Sequence, residues 1–342
     1  MKMKARPLTI HWPGTIVKSM LTDTHNRIIN YVRLAVTDRC NLRCSYCMPE
    51  HMQFLQRKEL LSYEEILRLM RLLSEQGVNK VRITGGEPFL RKDLLHLLEQ
   101  LVQMPGIDRV SITTNGVLTR SFIPALLDLG IRHINLSLDT LQRDKFKRIT
   151  YRDEFNAVMD TLQALLAHNM SVKINTVVMD GVNTDELLDF AALTKDHPVS
   201  VRFIEEMPFN GHGKDFSGIK WNFEHILDTL RTTYPLQKLP DAPHTTALNY
   251  HIPGHQGHIG VIPAYSRTFC GSCNRIRITP TGGLKTCLYG KDDLNVRDLI
   301  RGGAPDDFLL QRIQDAIHHR FLNGFEAEEA NEKMASMSTI GG

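Results

Sequence analysis

From Tyr31 onward, apolar and polar positions settle into two alternating rhythms. Short runs rich in Val, Ile and Leu, namely YVRLAVT, KVRITG, RVSITT, HINLSL, VKINTVVM and VSVRFIE, read as strands. Between them lie stretches with apolar residues three and four apart, which predict amphipathic helices over 62–77, 92–103, 121–128, 156–168 and 184–195. The first of these opens on Ser62 and closes on Gly77, a helix start and stop in their usual places.

The pattern is that of successive parallel βαβ units of roughly thirty residues each. Eight such units close a barrel, so six predict an incomplete, open β/α barrel of the TIM type, with a doubly wound sheet as the competing architecture. After Glu206 the rhythm stops and Gly, Pro and His become frequent up to Gly260, which places a boundary near residue 210. Three parts result: an N-terminal arm over 1–20, the partial barrel over 21–210, and a smaller C-terminal α+β region over 211–342 covering the barrel opening.

Composition narrows the class. With 342 residues, 42% of them hydrophobic and 23% charged, the chain is an ordinary globular protein. A net charge of +3 is too small for a nucleic-acid coat, although a local basic site for an anionic small molecule stays open. No apolar stretch is long enough to span a membrane, and the basic N-terminus lacks the apolar core of a secretory signal, so the expectation is a cytoplasmic protein. In that reducing compartment six cysteines point to metal or redox chemistry before disulfides.

Cys40, Cys44 and Cys47 form CxxxCxxC within TDRCNLRCSYCMP, directly after the first strand. Three close thiolates suit a soft metal or an iron–sulfur cluster. Structural zinc is the alternative, with His51 as the nearby fourth donor at an awkward spacing. With Tyr46 before the last cysteine, the motif resembles the signature of the radical S-adenosylmethionine superfamily. That resemblance implies a [4Fe–4S] cluster on these cysteines whose open iron binds S-adenosylmethionine, with contacts from Tyr46, from Gly86 and Glu87 of TGGEP, from Ser137 of NLSLD and from Met207 of RFIEEM. Taken singly, Ser137 and Met207 would read as capping and packing residues.

Cys270, Cys273 and Cys287 give CxxC and a third cysteine after thirteen intervening residues. In isolation this reads as a zinc knuckle, with His255 or His258 as donors. Beside the first motif, however, CNRIRITPTGGLKTC resembles the GTP 3′,8-cyclases of molybdenum cofactor biosynthesis. The resemblance extends through LTDTHNRIINYVRLAVTDRCNLRCSYCMP, VRITGGEP, TTNG, VRFIEEMP and a C-terminal Ile-Gly-Gly, from about Leu21 to Gly342. It implies a second three-cysteine [4Fe–4S] cluster facing the guanine of GTP.

A triphosphate needs fixed cations, and arginine's planar fork suits its oxygens. Arg33, Arg82, Arg202 and Lys173 sit inside otherwise apolar strands, and Arg275 and Arg277 alternate within RIRI so that both point to one face. Each alone would read as a snorkelling or carboxylate-paired side chain. The resemblance assigns Arg33, Arg82, Thr113, Lys173, Arg202, Arg275, Ile276 and Arg277 to GTP, gives Arg33, Arg275 and Arg277 a catalytic part, and sends Gly341 and Gly342 into the active site. It further implies abstraction of the 3′-hydrogen of GTP by a 5′-deoxyadenosyl radical. The partners it implies are an electron donor such as flavodoxin or ferredoxin and a downstream cyclic pyranopterin monophosphate synthase. A symmetric homodimer is the default oligomer. The rival classes are another radical enzyme with an auxiliary cluster and a non-enzymatic zinc or iron–sulfur regulatory module; the second leaves TGGEP and the barrel rhythm unexplained.

Overall fold

The computed structural model describes residues 20–48, 51–209, 219–331 and 336–341. The six expected strands form in order: β1 (Tyr31–Ala35), β2 (Lys80–Thr84), β3 (Arg109–Thr114), β4 (His133–Ser137), β5 (Ser171–Val178) and β6 (Ser200–Glu205). Each pairs in parallel with the next, without the reversal of strand order that marks a doubly wound sheet.

Six shorter strands follow: β7 (Gln237–Lys238), β8 (Leu248–His251), β9 (His258–Ile262), β10 (Arg275–Ile278), β11 (Gly283–Lys285) and β12 (Leu294–Asn295). Among the described residues all twelve belong to one open sheet in the order β12-β11-β10-β1-β2-β3-β4-β5-β6-β9-β8-β7. The rhythm of the sequence ends near residue 210, but the sheet does not. β9 lies parallel to β6 and β10 parallel to β1, so the C-terminal region lengthens both edges of the partial barrel. The long excursion between β6 and β9, through the helix Phe223–Arg231 and the strands β7 and β8, hides this continuity from a thirty-residue repeat.

Strand alternation divides the chemistry. One face carries Val32, Leu34, Val81, Ile83, Val201 and Phe203, all 0% exposed, and packs against the surrounding helices. The helix Tyr63–Glu75 illustrates why they form: Ser62 caps the Glu65 amide while Glu65 returns to the Ser62 amide at 2.7 Å, and Ile66, Leu69, Met70 and Leu73 point to the sheet. A helix over Arg143–Thr150 was not expected; RDKFKRIT carries too few apolar residues to show a period. The other face of the strands is polar and lines the interior. No helix of the described residues is long and apolar enough to cross a membrane.

Phe203 meets Phe190 edge to face at 6.4 Å in the core between β6 and its helix. Replacing Phe203 by Ala should cost about 3–5 kcal/mol in denaturant unfolding; a loss within experimental error of zero would mean this layer is not the load on which the barrel closes.

Candidate functional site

The interior opens into one cavity of about 410 Å³ that reaches both cysteine groups. Cys40, Cys44 and Cys47 follow β1 at the C-terminal end of the parallel strands, where βα loops gather ligands. Cys270 and Cys273 precede β10, which is parallel to β1, so they lie at the opposite end; β11 runs back and returns Cys287 towards them. The polar strand faces span the distance between.

The first loop is held from several sides. The Gly86 amide donates to Thr37 O at 2.8 Å and the Glu87 amide to Arg39 O at 2.7 Å, zipping TGGEP onto TDR. A Cβ at Gly85 would lie 2.5 Å from Thr37 O, and one at Gly86 would lie 2.7 Å from Asp38 O, so only glycine permits this approach. The amides of Arg43 and Ser45 donate to Thr150 O and Ile149 O, tying the loop to the unexpected helix. The Arg43 guanidinium donates to Cys40 O at 2.6 Å. Tyr46 donates its hydroxyl to Asp139 at 2.8 Å, and the second Asp139 oxygen accepts from the Val177 amide.

All six cysteines are unpaired. Burial raises the Cys40 thiol, pushes Cys44 well up and takes Cys47 to about 12, with neighbouring sulfurs and Asp139 adding to the last two. Burial likewise takes Asp139 to about 6. At the other end burial raises Cys270, whereas at Cys273 the guanidiniums of Arg275 and Arg320 outweigh burial and bring the thiol down to about 6. Crowded, buried sulfurs with so little cationic compensation at the first loop are what a positively charged iron–sulfur core relieves. Among the described residues no three His, Cys, Asp or Glu side chains gather where a single ion could sit; thiolates on separate irons of a cubane need no such convergence. His255 bonds Thr194 at 2.8 Å and does not line the cavity, which removes it as a zinc donor.

Between the two ends, Arg277, Arg33 and Arg82 are register partners across β10, β1 and β2, three guanidiniums abreast on the inner face. Lys173 and Arg202 add cations from β5 and β6. Among the described residues none of these five is paired with a carboxylate, and the Nε atoms of Arg33 and Arg82, with Thr113 Oγ1 and Asn175 Oδ1, have no hydrogen-bond partner. Burial, followed by Arg277 and Arg82, holds Arg33 well below its ordinary range. Burial with neighbouring cations takes Arg202 and Arg277 to about 10 and Lys173 to about 7. Such a set is poised for an anion.

The C-terminal residues reach this row. Ser336 donates to Cys47 O at 2.6 Å, Ile340 packs with Phe209, Tyr289 and Ala327, and Gly341 O accepts from Arg277 at 2.9 Å. Gly341 has φ +85°, and a Cβ there would lie 2.6 Å from both Ala35 Cβ and Thr84 Oγ1. Gly342 lies outside the described residues.

The cavity wall thus brings together the six cysteines, Tyr46, Gly86, Ser137 and Met207, and Arg33, Arg82, Thr113, Lys173, Arg202, Arg275 and Arg277. Two of the expected contacts do not turn their side chains to the cavity. Glu87 is fully buried and its carboxylate accepts from the Asn115 amide, Thr114 Oγ1 and the Phe89 amide, so its side chain ties β3 to TGGEP instead of facing the cavity. The Ile276 side chain is 0% exposed in the apolar layer, and only its backbone runs beside the arginines. Sequence reasoning missed Asn115, which donates to Cys40 Sγ at 3.5 Å, and Asn175, whose place two residues after Lys173 on β5 was the available signal.

Residues 34–194 match the model of the Radical SAM superfamily, and residues 199–324 match that of Molybdenum Cofactor Synthesis C. The chain is 40% identical to the GTP 3′,8-cyclase of Chlorobaculum tepidum over 94% of this chain and 97% of that protein. It is 45% identical to molybdenum cofactor biosynthesis protein 1 of Bos taurus over 87% of this chain, but spans 48% of that relative, about half its length. Among solved structures, Streptococcus suis SuiB superposes with a TM-score of 0.58 at 15% identity, over 87% of this chain and 68% of that one, a likeness of fold alone.

Lys173 gives a pH test. Its ammonium is disfavoured in the fold, from the ordinary 10.5 down to about 7, so across that window the unfolded chain binds more protons and stability rises with pH. A bound polyanion restores the ammonium. Calorimetric titration of tripolyphosphate in buffers of different ionisation enthalpy, at about pH 8, should show proton uptake that Lys173→Met loses; equal uptake in the variant would assign the proton elsewhere.

Proposed function

We propose that this chain, which belongs to the family of GTP 3′,8-cyclases, joins C3′ of the GTP ribose to C8 of its guanine, giving 3′,8-cyclo-7,8-dihydro-GTP in molybdenum cofactor biosynthesis. The observation that carries the reading is the unpaired cation row set between two three-cysteine groups in one cavity. Cys40, Cys44 and Cys47 would hold the first [4Fe–4S] cluster, and Cys270, Cys273 and Cys287 the second. When bound, the first supplies the electron that splits S-adenosylmethionine into methionine and a 5′-deoxyadenosyl radical, which would take the 3′-hydrogen of GTP.

The rest is positioning by the chain. The Gly86 backbone, Tyr46, Ser137 and Met207 would surround S-adenosylmethionine beside the first loop. Arg33, Arg82, Lys173 and Arg202 would clamp the triphosphate, whose charge answers the lowered basicity of Arg33, Lys173 and Arg202. Arg275 stands next to Cys273 where the guanine would face the second cysteine group. Arg277, held by Gly341 O, would keep the tail across the reacting ribose. Phe209, Tyr289 and Ile340 form an apolar cover that would keep water from a primary alkyl radical. One electron and one proton must still enter to close the dihydro product; a flavodoxin or ferredoxin would supply the former. A cytoplasmic homodimer handing its product to a cyclic pyranopterin monophosphate synthase completes the proposal.

A peptide-modifying radical enzyme would share the barrel and both clusters, but a peptide leaves five cations unanswered. Anaerobic incubation with dithionite, S-adenosylmethionine and each of GTP, ATP, CTP and UTP should consume GTP alone, with 5′-deoxyadenosine formed in step. Iron-loaded protein that leaves GTP intact while cleaving S-adenosylmethionine would sink the assignment. Gly341→Ala should keep the iron content and cut product at least tenfold, because the added Cβ meets Ala35 and Thr84. A fully active variant would mean the tail is a bystander.

A further inference from the structure

The segment before β1 packs not against the first cysteine loop, which follows it, but against the second. The Tyr31 amide donates to Asn274 O at 3.3 Å, Asn274 Nδ2 to Asn30 Oδ1 at 2.6 Å, and the Thr24 amide to His318 O at 3.3 Å. At its centre is Asp23, whose side chain is 0% exposed. One oxygen accepts from the His25 and Arg27 amides at 2.9 Å each; the other meets Arg27 Nε at 2.6 Å and Arg320 Nε at 3.6 Å. Arg27 and Arg320 are themselves 5% and 3% exposed.

Both guanidiniums then reach the second cysteine loop. Arg27 donates to Cys270 O at 3.1 Å, to Leu322 O at 2.6 Å and to Phe321 O at 2.7 Å. Arg320 donates to Cys273 O at 3.2 Å. One carboxylate against two guanidiniums leaves a buried excess of one positive charge on the wall of the cavity. A purely structural buried ion cluster is costly unless its charges balance. A doubly positive iron–sulfur core on three thiolates carries one net negative charge, which supplies that balance.

We propose that Asp23 is a positioning residue for the second cysteine group: through Arg27 and Arg320 it fixes the backbone of Cys270 and Cys273, and the guanidinium charge it leaves unbalanced sets the reduction potential of the iron–sulfur group held there. This rests on the reading of Cys270, Cys273 and Cys287 as iron–sulfur ligands, not on the identity of the substrate. The sign follows from charge. Nearby positive charge favours the reduced, more negative core and raises its potential; nearby negative charge lowers it. The effect should stay local, because the charged side chains bonded to Cys40 and Tyr46 of the first loop are Arg43 and Asp139, not Asp23, Arg27 or Arg320.

Two full-length backgrounds separate the clusters: one with Cys40, Cys44 and Cys47 replaced by Ala, the other with Cys270, Cys273 and Cys287 replaced by Ala. After anaerobic reconstitution, iron content and potentiometric titration followed by electron paramagnetic resonance are read in each. In the first background Asp23→Asn should raise the midpoint potential and Arg320→Gln should lower it. In the second background neither should move it. Shifts of the same sign, no shift, or equal shifts in both backgrounds would overturn the proposal. Where a variant loads no second-site iron, Asp23→Glu or Arg320→Lys should restore loading while first-site iron stays at the wild-type level. Loss that these conservative changes do not rescue would reduce the cluster to a folding element and overturn the proposal equally. If the parent first background binds no iron, the ligand reading fails instead.

Discussion

Three guanidiniums abreast on the inner face of a barrel are the constraint around which this molecule is arranged. Arg277, Arg33 and Arg82 are held side by side by the register of β10, β1 and β2. Burial, with repulsion from Arg277 and Arg82, holds Arg33 well below its ordinary basicity. No carboxylate among the described residues relieves them. The apolar outer layer must stabilise that face until an anion arrives, and under the proposed function the same unrelieved charge would give a polyphosphate its affinity. Ordinary barrels of this class fill the interior with packed side chains; here cations, hydroxyls and amides line a cavity.

The same cations divide the two cysteine groups. At the C-terminal end of the strands the sulfurs sit near Asp139 with their thiols pushed up; at the other end Arg275 and Arg320 bring Cys273 down to about 6. A carboxylate neighbourhood lowers the potential of an iron–sulfur group held beside it, and a guanidinium neighbourhood raises it. The tail joins the first loop to the row, from Ser336 on Cys47 O to Gly341 on Arg277. Loop, row and tail are therefore one electrostatic unit assembled from both ends of the chain.

Much of this was legible in the sequence. The six strands and their helices came from periodicity, both cysteine groups and the strand arginines came from residue type and spacing, and TGGEP came from the family resemblance. What was hidden has physical reasons. The membership of β9 and β10 in the same sheet is a long-range pairing without a local signal. The helix Arg143–Thr150 is too polar to show a stripe. Glu87 reads as a ligand contact from its motif, yet burial and three donors turn it inward to brace β3. Asp23, Arg27 and Arg320 are nearly 300 residues apart at their extremes, and nothing in their local pattern announces that they meet.

The central claim is that the guanidinium row presents the ribose of GTP to the radical generated at the first cysteine loop. GTP carrying deuterium at C3′, incubated anaerobically with reduced, iron-loaded protein and S-adenosylmethionine, tests it most directly by mass analysis of the 5′-deoxyadenosine formed. Deuterium in that product, one atom for each GTP consumed, is the predicted result. Consumption of GTP with unlabelled 5′-deoxyadenosine would contradict it.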